Sequence, residues 1–138
     1  MFRKVMVAID NSRISQEALK EAHNIAKSYN GELCIVHVID NQGVDTDKGN
    51  VLLQNAKASV ENGVSIKTRL VEADLLYGLT GIADAIANAV NEWKPGLLVV
   101  GTDNRRGLER FVVGSVAEQV LTKVNTSILL VRPPEQKI

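Results

Sequence analysis

Residues 97–116 read LLVVGTDNRRGLERFVVGSV. The run Leu97 to Val100 is short and wholly apolar, which fits a strand buried on both faces of a parallel sheet. Gly101 follows, where a bulky side chain would block a ligand approaching the strand end. At the far end Gly114 and Ser115 open an amphipathic helix whose apolar residues Val116, Val120, Leu121 and Val124 are expected on one face. A helix start leaves backbone N–H groups unpaired and carries partial positive charge, so the strand, glycine-bearing loop and helix suit a bound phosphate. Ser115 adds a hydroxyl donor, and Arg105, Arg106 and Arg110 add cationic reach. A plainer reading is a tight turn at Gly101, an ordinary N-cap at Ser115 and a solvated arginine loop; the pattern alone leaves both open.

Outward from this stretch the same rhythm repeats. Strands are expected at Val5 to Ile9, Leu33 to Ile39, Val64 to Glu72 and Ser127 to Val131. Helices are expected up to about Tyr29, from about Val51 to Glu61, from about Leu79 to Trp93, and from Ser115 to Val124. Five strands alternating with four helices imply an α/β fold, a parallel sheet covered on both faces by right-handed crossovers. Ala18, Leu19, Ala22, Ile25 and Ala26 form the first helix's stripe, Ser12 or Ser15 can cap its start, and Asn30-Gly31 supplies a left-handed stop. Ile82, Ala83, Ile86, Val90 and Trp93 do the same for the third, which Pro95-Gly96 ends, so Trp93 reads as core. Val64 to Glu72 alternates apolar with polar, the pattern of an exposed edge. The polar run from Asn41 to Asn50 reads as a flexible loop.

A chain of 138 residues, 45% of them hydrophobic, suits one domain spanning 1–138 rather than a disordered segment. Sixteen basic side chains balance sixteen acidic ones, so no global field draws it to nucleic acid or an anionic membrane, and any anion site must be local. No apolar stretch is long enough to cross a bilayer and no signal peptide is evident, which points to the cytoplasm. Cys34, the lone cysteine, lies inside a strand pattern and reads as a small core residue. In a doubly wound sheet the ligand lies outside the carboxyl ends of the strands where strand order reverses, which gathers Ala8, Ile9 and Asp10 with Val38, Ile39 and Asp40 and with the loop after Val100. Asp10 has two readings of equal weight: an acceptor for a ribose or a partner of a phosphate-bound metal, and a cap on the first helix.

These residues in this order resemble the universal stress protein family over nearly the whole chain. The resemblance rests on Lys4-Val-Met-Val-Ala-Ile-Asp-Asn-Ser12, His37-Val-Ile-Asp40, Val99-Val-Gly101, Gly114-Ser-Val-Ala-Glu118 and Ser127-Ile-Leu-Leu-Val-Arg132. It implies a Rossmann-like open sheet in the order 3-2-1-4-5 and a small stress-response protein binding ATP or another adenine nucleotide, where Asp103 would repel a triphosphate unless Mg²⁺ lies between them. Nucleotide-binding members carry glycine, two residues, glycine, nine residues, then glycine with serine or threonine; this chain matches at Gly101, Gly114 and Ser115 and has Asn104 for the middle glycine. Asparagine tolerates a left-handed backbone better than most residues, so the turn can survive. The resemblance implies that Ala8, Ile9 and Asp10 flank adenine and ribose, that Val38 contacts the base through its backbone, and that Val100 and Gly101 line the floor. Asn104, Gly114, Ser115 and Val116 would then surround the phosphates. It also implies a homodimer through the last strand, Ser127 to Val131.

No general base stands in the loop: His23 is expected on a helix surface and His37 as a satisfied strand residue, so at most slow ATP hydrolysis is expected. A Walker A lysine is absent, and Asp10-Asn-Ser-Arg13 departs from the Ser-Gly-Gly-x-Asp-Ser loop of the related adenine nucleotide hydrolases. The competing reading is a dimerising interaction protein that has lost its nucleotide, as Asp103 and Asn104 would permit.

Overall fold

The computed structural model describes residues 2–60, 62–102 and 115–133. Strands β1 (Lys4–Ile9), β2 (Glu32–Asp40), β3 (Ser65–Ala73), β4 (Leu97–Gly101) and β5 (Ser127–Val131) form one sheet in the order β3-β2-β1-β4-β5. Every pairing is parallel. Helices α1 (Arg13–Ser28), α2 (Thr46–Val60), α3 (Gly78–Trp93) and α4 (Ser115–Lys123) cover it, with a 3-10 turn at Leu75–Tyr77 before α3. The expected α/β class and strand order are therefore found.

Alternation along the strands divides the core into two layers. Val5, Val7, Ile9, Leu33, Ile35, Leu97 and Val99 pack with Ala18, Leu19, Ala22 and Ala26 of α1 and with Leu53 of α2. Met6, Cys34, Val36 and Leu98 pack on the other face with Ala83, Ile86 and Val90 of α3 and Val120 of α4. Cys34 is buried there, and burial raises its thiol to about 11, as suits an inert core residue. Trp93 packs against the second layer, with the Lys4 ammonium 4.3 Å from its ring centroid.

Helix α1 ends in a paired reverse turn: Asn30 adopts φ 52°, its N–H donates to Lys27 O at 3.2 Å, and Gly31 N–H donates to Ala26 O at 2.8 Å. The left-handed residue is Asn30. Gly31 is needed for space, because a Cβ there would lie 2.2 Å from the Arg3 carbonyl oxygen. Lys94, φ 55°, ends α3 in the same left-handed conformation.

Two expectations are corrected. Half of the supposed loop from Asn41 to Asn50 is helix, since α2 begins at Thr46 rather than Val51. The Thr46 hydroxyl donates to Gly43 O at 3.2 Å, Asp47 lies in the first turn where the helix dipole favours an anion, and Gly49 presses on Leu70, Ile39 and His37. Leu121 is 60% exposed, so α4 does not bury it with Val116, Val120 and Val124. Ala117 is buried, and Val116, Val120 and Val124 pack on the second layer. Strand β3 forms one edge of the sheet, as its alternation implies, and β5 forms the other.

Candidate functional site

Strand order reverses between β1 and β4, and the crevice expected at their carboxyl ends is built from three strand ends and one helix start. Ala8 stands opposite Val100 in the β1–β4 register, and Ile9 opposite His37 in the β1–β2 register. Ala8, Val38, Val100 and Val116 lie in one layer, all four half-buried and packed against the core formed by Met6, Val36 and Leu98. They make an apolar, partly open floor. Ile9 turns to the opposite face and is buried there with α1, so of the residues expected at the base it is placed away from this floor.

The backbone supplies the polar groups. Glu32 N–H donates to Arg3 O and Asn41 N–H to Ala73 O, which fixes even-numbered residues of β2 with their peptide groups toward β1. Because β1 stops at Ile9, the Val38 carbonyl and the Asp40 N–H face the place where β1 has left the sheet. A neighbouring acceptor and donor on an otherwise apolar floor is a pairing that fits the edge of a heterocyclic base.

Gly101 is half-buried at the end of β4, and a Cβ there would lie 3.1 Å from both Ile14 O and Ile14 Cγ1. A side chain at this position would therefore need α1 to yield by a few tenths of an ångström, whatever the crevice holds. Thr102 is buried and its N–H donates to Val131 O at 2.8 Å, so the residue after β4 is joined to the last residue of the edge strand. Ser115 is the first residue of α4. Asp103, Asn104, Arg105, Arg106, Arg110 and Gly114 lie outside the described residues.

Asp10 settles one open question. Ser12 is the N-cap of α1, accepting from Ser15 N–H at 3.4 Å, so Asp10 is not the cap. Its Oδ1 accepts from Ser12 N–H at 2.8 Å and from the Ser15 hydroxyl at 2.8 Å, while its own N–H donates to Ser15 Oγ at 2.9 Å. Partial burial pushes the Asp10 carboxyl up, but hydrogen bonds from Ser12 and Ser15 and the field of His37 outweigh it and hold the group below the ordinary 3.8. Ser15, 7% exposed and offered by the sequence only as an alternative cap, instead holds Asp10, a role whose signal is the spacing Asp10-x-Ser12-x-x-Ser15.

His37 is a satisfied strand histidine, its Nδ1 lying 2.8 Å from Ile9 O. His23 is half-buried on α1 with Nε2 3.2 Å from Asn62 O. Among the described residues no group of three His, Cys, Asp or Glu could hold a metal, and no helix is long and apolar enough to cross a membrane.

The profile of the universal stress protein family matches residues 1–132. The chain belongs to the universal stress protein family. Universal stress protein MJ0531 of Methanocaldococcus jannaschii is 30% identical over 154 residues, covering 99% of this chain and 86% of that relative. A universal stress protein solved in complex with cAMP superposes with a TM-score of 0.72 at 24% identity, over 94% of this chain and 96% of that one. The Archaeoglobus fulgidus universal stress protein in complex with dAMP gives 0.70 at 21% identity, over 95% of this chain and 99% of its own. At these identities the superpositions establish a shared universal stress protein fold.

Proposed function

We propose that this chain is a small cytoplasmic stress-response protein, one domain over 1–138, that binds ATP or another adenine nucleotide at the carboxyl ends of β1, β2 and β4. The observation that carries the reading is the convergence of Ala8, Val38, Val100 and Val116 on one half-buried apolar floor at the reversal of strand order, with Asp10 two residues beyond Ala8. Adenine fits this floor. Its exocyclic amino group can donate to the Val38 carbonyl while a ring nitrogen accepts from the Asp40 N–H, whereas guanine presents an acceptor where adenine donates. The complexes of two fold relatives with cAMP and dAMP are precedents for an adenine ligand on this scaffold.

The phosphates then fall to the start of α4, where the Ser115 and Val116 N–H groups have no partner within the helix, and to Gly101, Asn104 and Gly114 in the family motif with asparagine as its middle residue. Mg²⁺, when it binds, would be carried by the phosphates and would offset the charge of Asp103. With no general base identified, the reading is a nucleotide-responsive regulator whose hydrolysis of ATP is slow or nil, acting as a homodimer through β5.

Calorimetric titration with ATP and Mg²⁺ tests this, with a dissociation constant in the micromolar range expected. Heat absent at millimolar nucleotide, but appearing in an Asn104→Gly variant, would favour instead the interaction protein that has lost its ligand.

A further inference from the structure

We propose that Ser15 is a positioning residue that sets the Asp10 carboxylate to read a ribose diol, an inference that rests on the adenine-nucleotide reading above. The Ser15 hydroxyl has one hydrogen and two lone pairs, and the contacts around Asp10 engage all of them. It donates to Asp10 Oδ1 at 2.8 Å, accepts from the Asp10 N–H at 2.9 Å, and lies 3.4 Å from the Ser12 hydroxyl, which can also donate to it. Asp10 is thus held at both backbone and side chain by a single buried oxygen. Helix capping does not require this, since Ser12 already caps α1.

The consequence lies in which carboxylate oxygen remains. Ser12 N–H and the Ser15 hydroxyl both donate to Oδ1, and the Ser12 hydroxyl also stabilises the carboxylate, which leaves Oδ2 the less engaged oxygen. Asp10 is itself exposed although the serine holding it is buried. A fixed, ionised oxygen two residues beyond Ala8 of the floor, at the end of β1 where Asp10 also lines the cavity between α1 and α2, suits a pair of sugar hydroxyls. Without Ser15 the carboxylate would keep its charge and lose its fixed rotamer, so the ordering would have to occur on binding.

The test is a double-mutant cycle read by calorimetry with ATP and 2′,3′-dideoxy-ATP. The unmodified protein should favour ATP by about tenfold or more, the range for a hydrogen bond to a charged group. Ser15→Ala should reduce that preference to a few-fold by weakening ATP alone, and Asp10→Ala should abolish it. In the Asp10→Ala background, Ser15→Ala should change nothing further, whereas a merely structural role would persist. If the alanine variant does not fold, Ser15→Cys, similar in shape with a weak donor, carries the same measurement. Equal weakening of both nucleotides, an undiminished preference, or additive losses would overturn the proposal. Equal affinity of the unmodified protein for both nucleotides overturns it while leaving the adenine reading standing; failure to bind either one removes both.

Discussion

One oxygen atom, Oδ1 of Asp10, joins the end of β1 to the start of α1. Its ionised form is the one that the Ser12 and Ser15 donors stabilise, which is why the folded carboxyl titrates below its ordinary 3.8 despite partial burial. The sign follows: this contribution to stability is full above the unfolded value and is lost as pH falls through 3.8 and on through the lower folded value. Asp10→Asn should therefore be less stable than the unmodified protein at pH 6, with the gap narrowing toward pH 3 in urea melts. Parallel acid limbs would contradict this account. Chemistry of this kind was only half legible in the sequence. Asp10 was visible as a candidate, but one residue could serve a ligand or a helix, and only the geometry shows Ser12 as the cap and Ser15 as the support. Gly101 and Gly31 were legible as glycines but not by cause, since the atoms that crowd them, Ile14 O and Arg3 O, come from other elements.

Elements with strong periodicity were the most legible. The apolar runs of β1, β2 and β4 and the stripes of α1 and α3 appear in the sequence because burial repeats at the period of the element. Helix α2 hid its start because it buries only Gly49, Leu53 and Val60 over fifteen residues, which leaves little apolar signal in Thr46-Asp-Lys-Gly-Asn50. Its first turn is held by local bonds and by the close contact of Gly49 with β2 and β3, features that a hydrophobic pattern does not carry. Helix α4 was misjudged at one position for a related reason. Leu121 is apolar but lies one step round from Val120, and the layer from Met6 to Leu98 takes Val116, Val120 and Val124 from this segment.

Across the whole molecule the two sheet edges differ, and that difference bears on assembly. Edge β3 carries Lys67 and Arg69, charges of the kind that discourage strand pairing, with Arg69 bound to Glu92 at 2.6 Å. Edge β5 is Ser-Ile-Leu-Leu-Val, with Leu130 42% exposed. The bond from Thr102 N–H to Val131 O sets odd residues of β5 toward β4 and turns the peptide groups of Ile128 and Leu130 outward. A two-fold dimer would pair through them. Light scattering at micromolar concentration should report a dimer, and Leu130→Pro, which removes an outward donor and no β4 rung, should give a folded monomer. A monomeric unmodified protein, or a variant that remains dimeric, would count against this edge.

The central claim concerns one end of the sheet, and an amide-resolved nuclear magnetic resonance titration with ATP addresses it most directly. Resonances should move together at Ala8, Val38, Asp40, Gly101 and Val116, with β3 from Ser65 to Thr68 unmoved. Movements confined to Gln16, Lys20, Leu52, Asn55 and Ser59 around the cavity of about 460 Å³ between α1 and α2, whose other end Asp10, Ser12 and Ser15 line, or no movement at millimolar ATP, would contradict it.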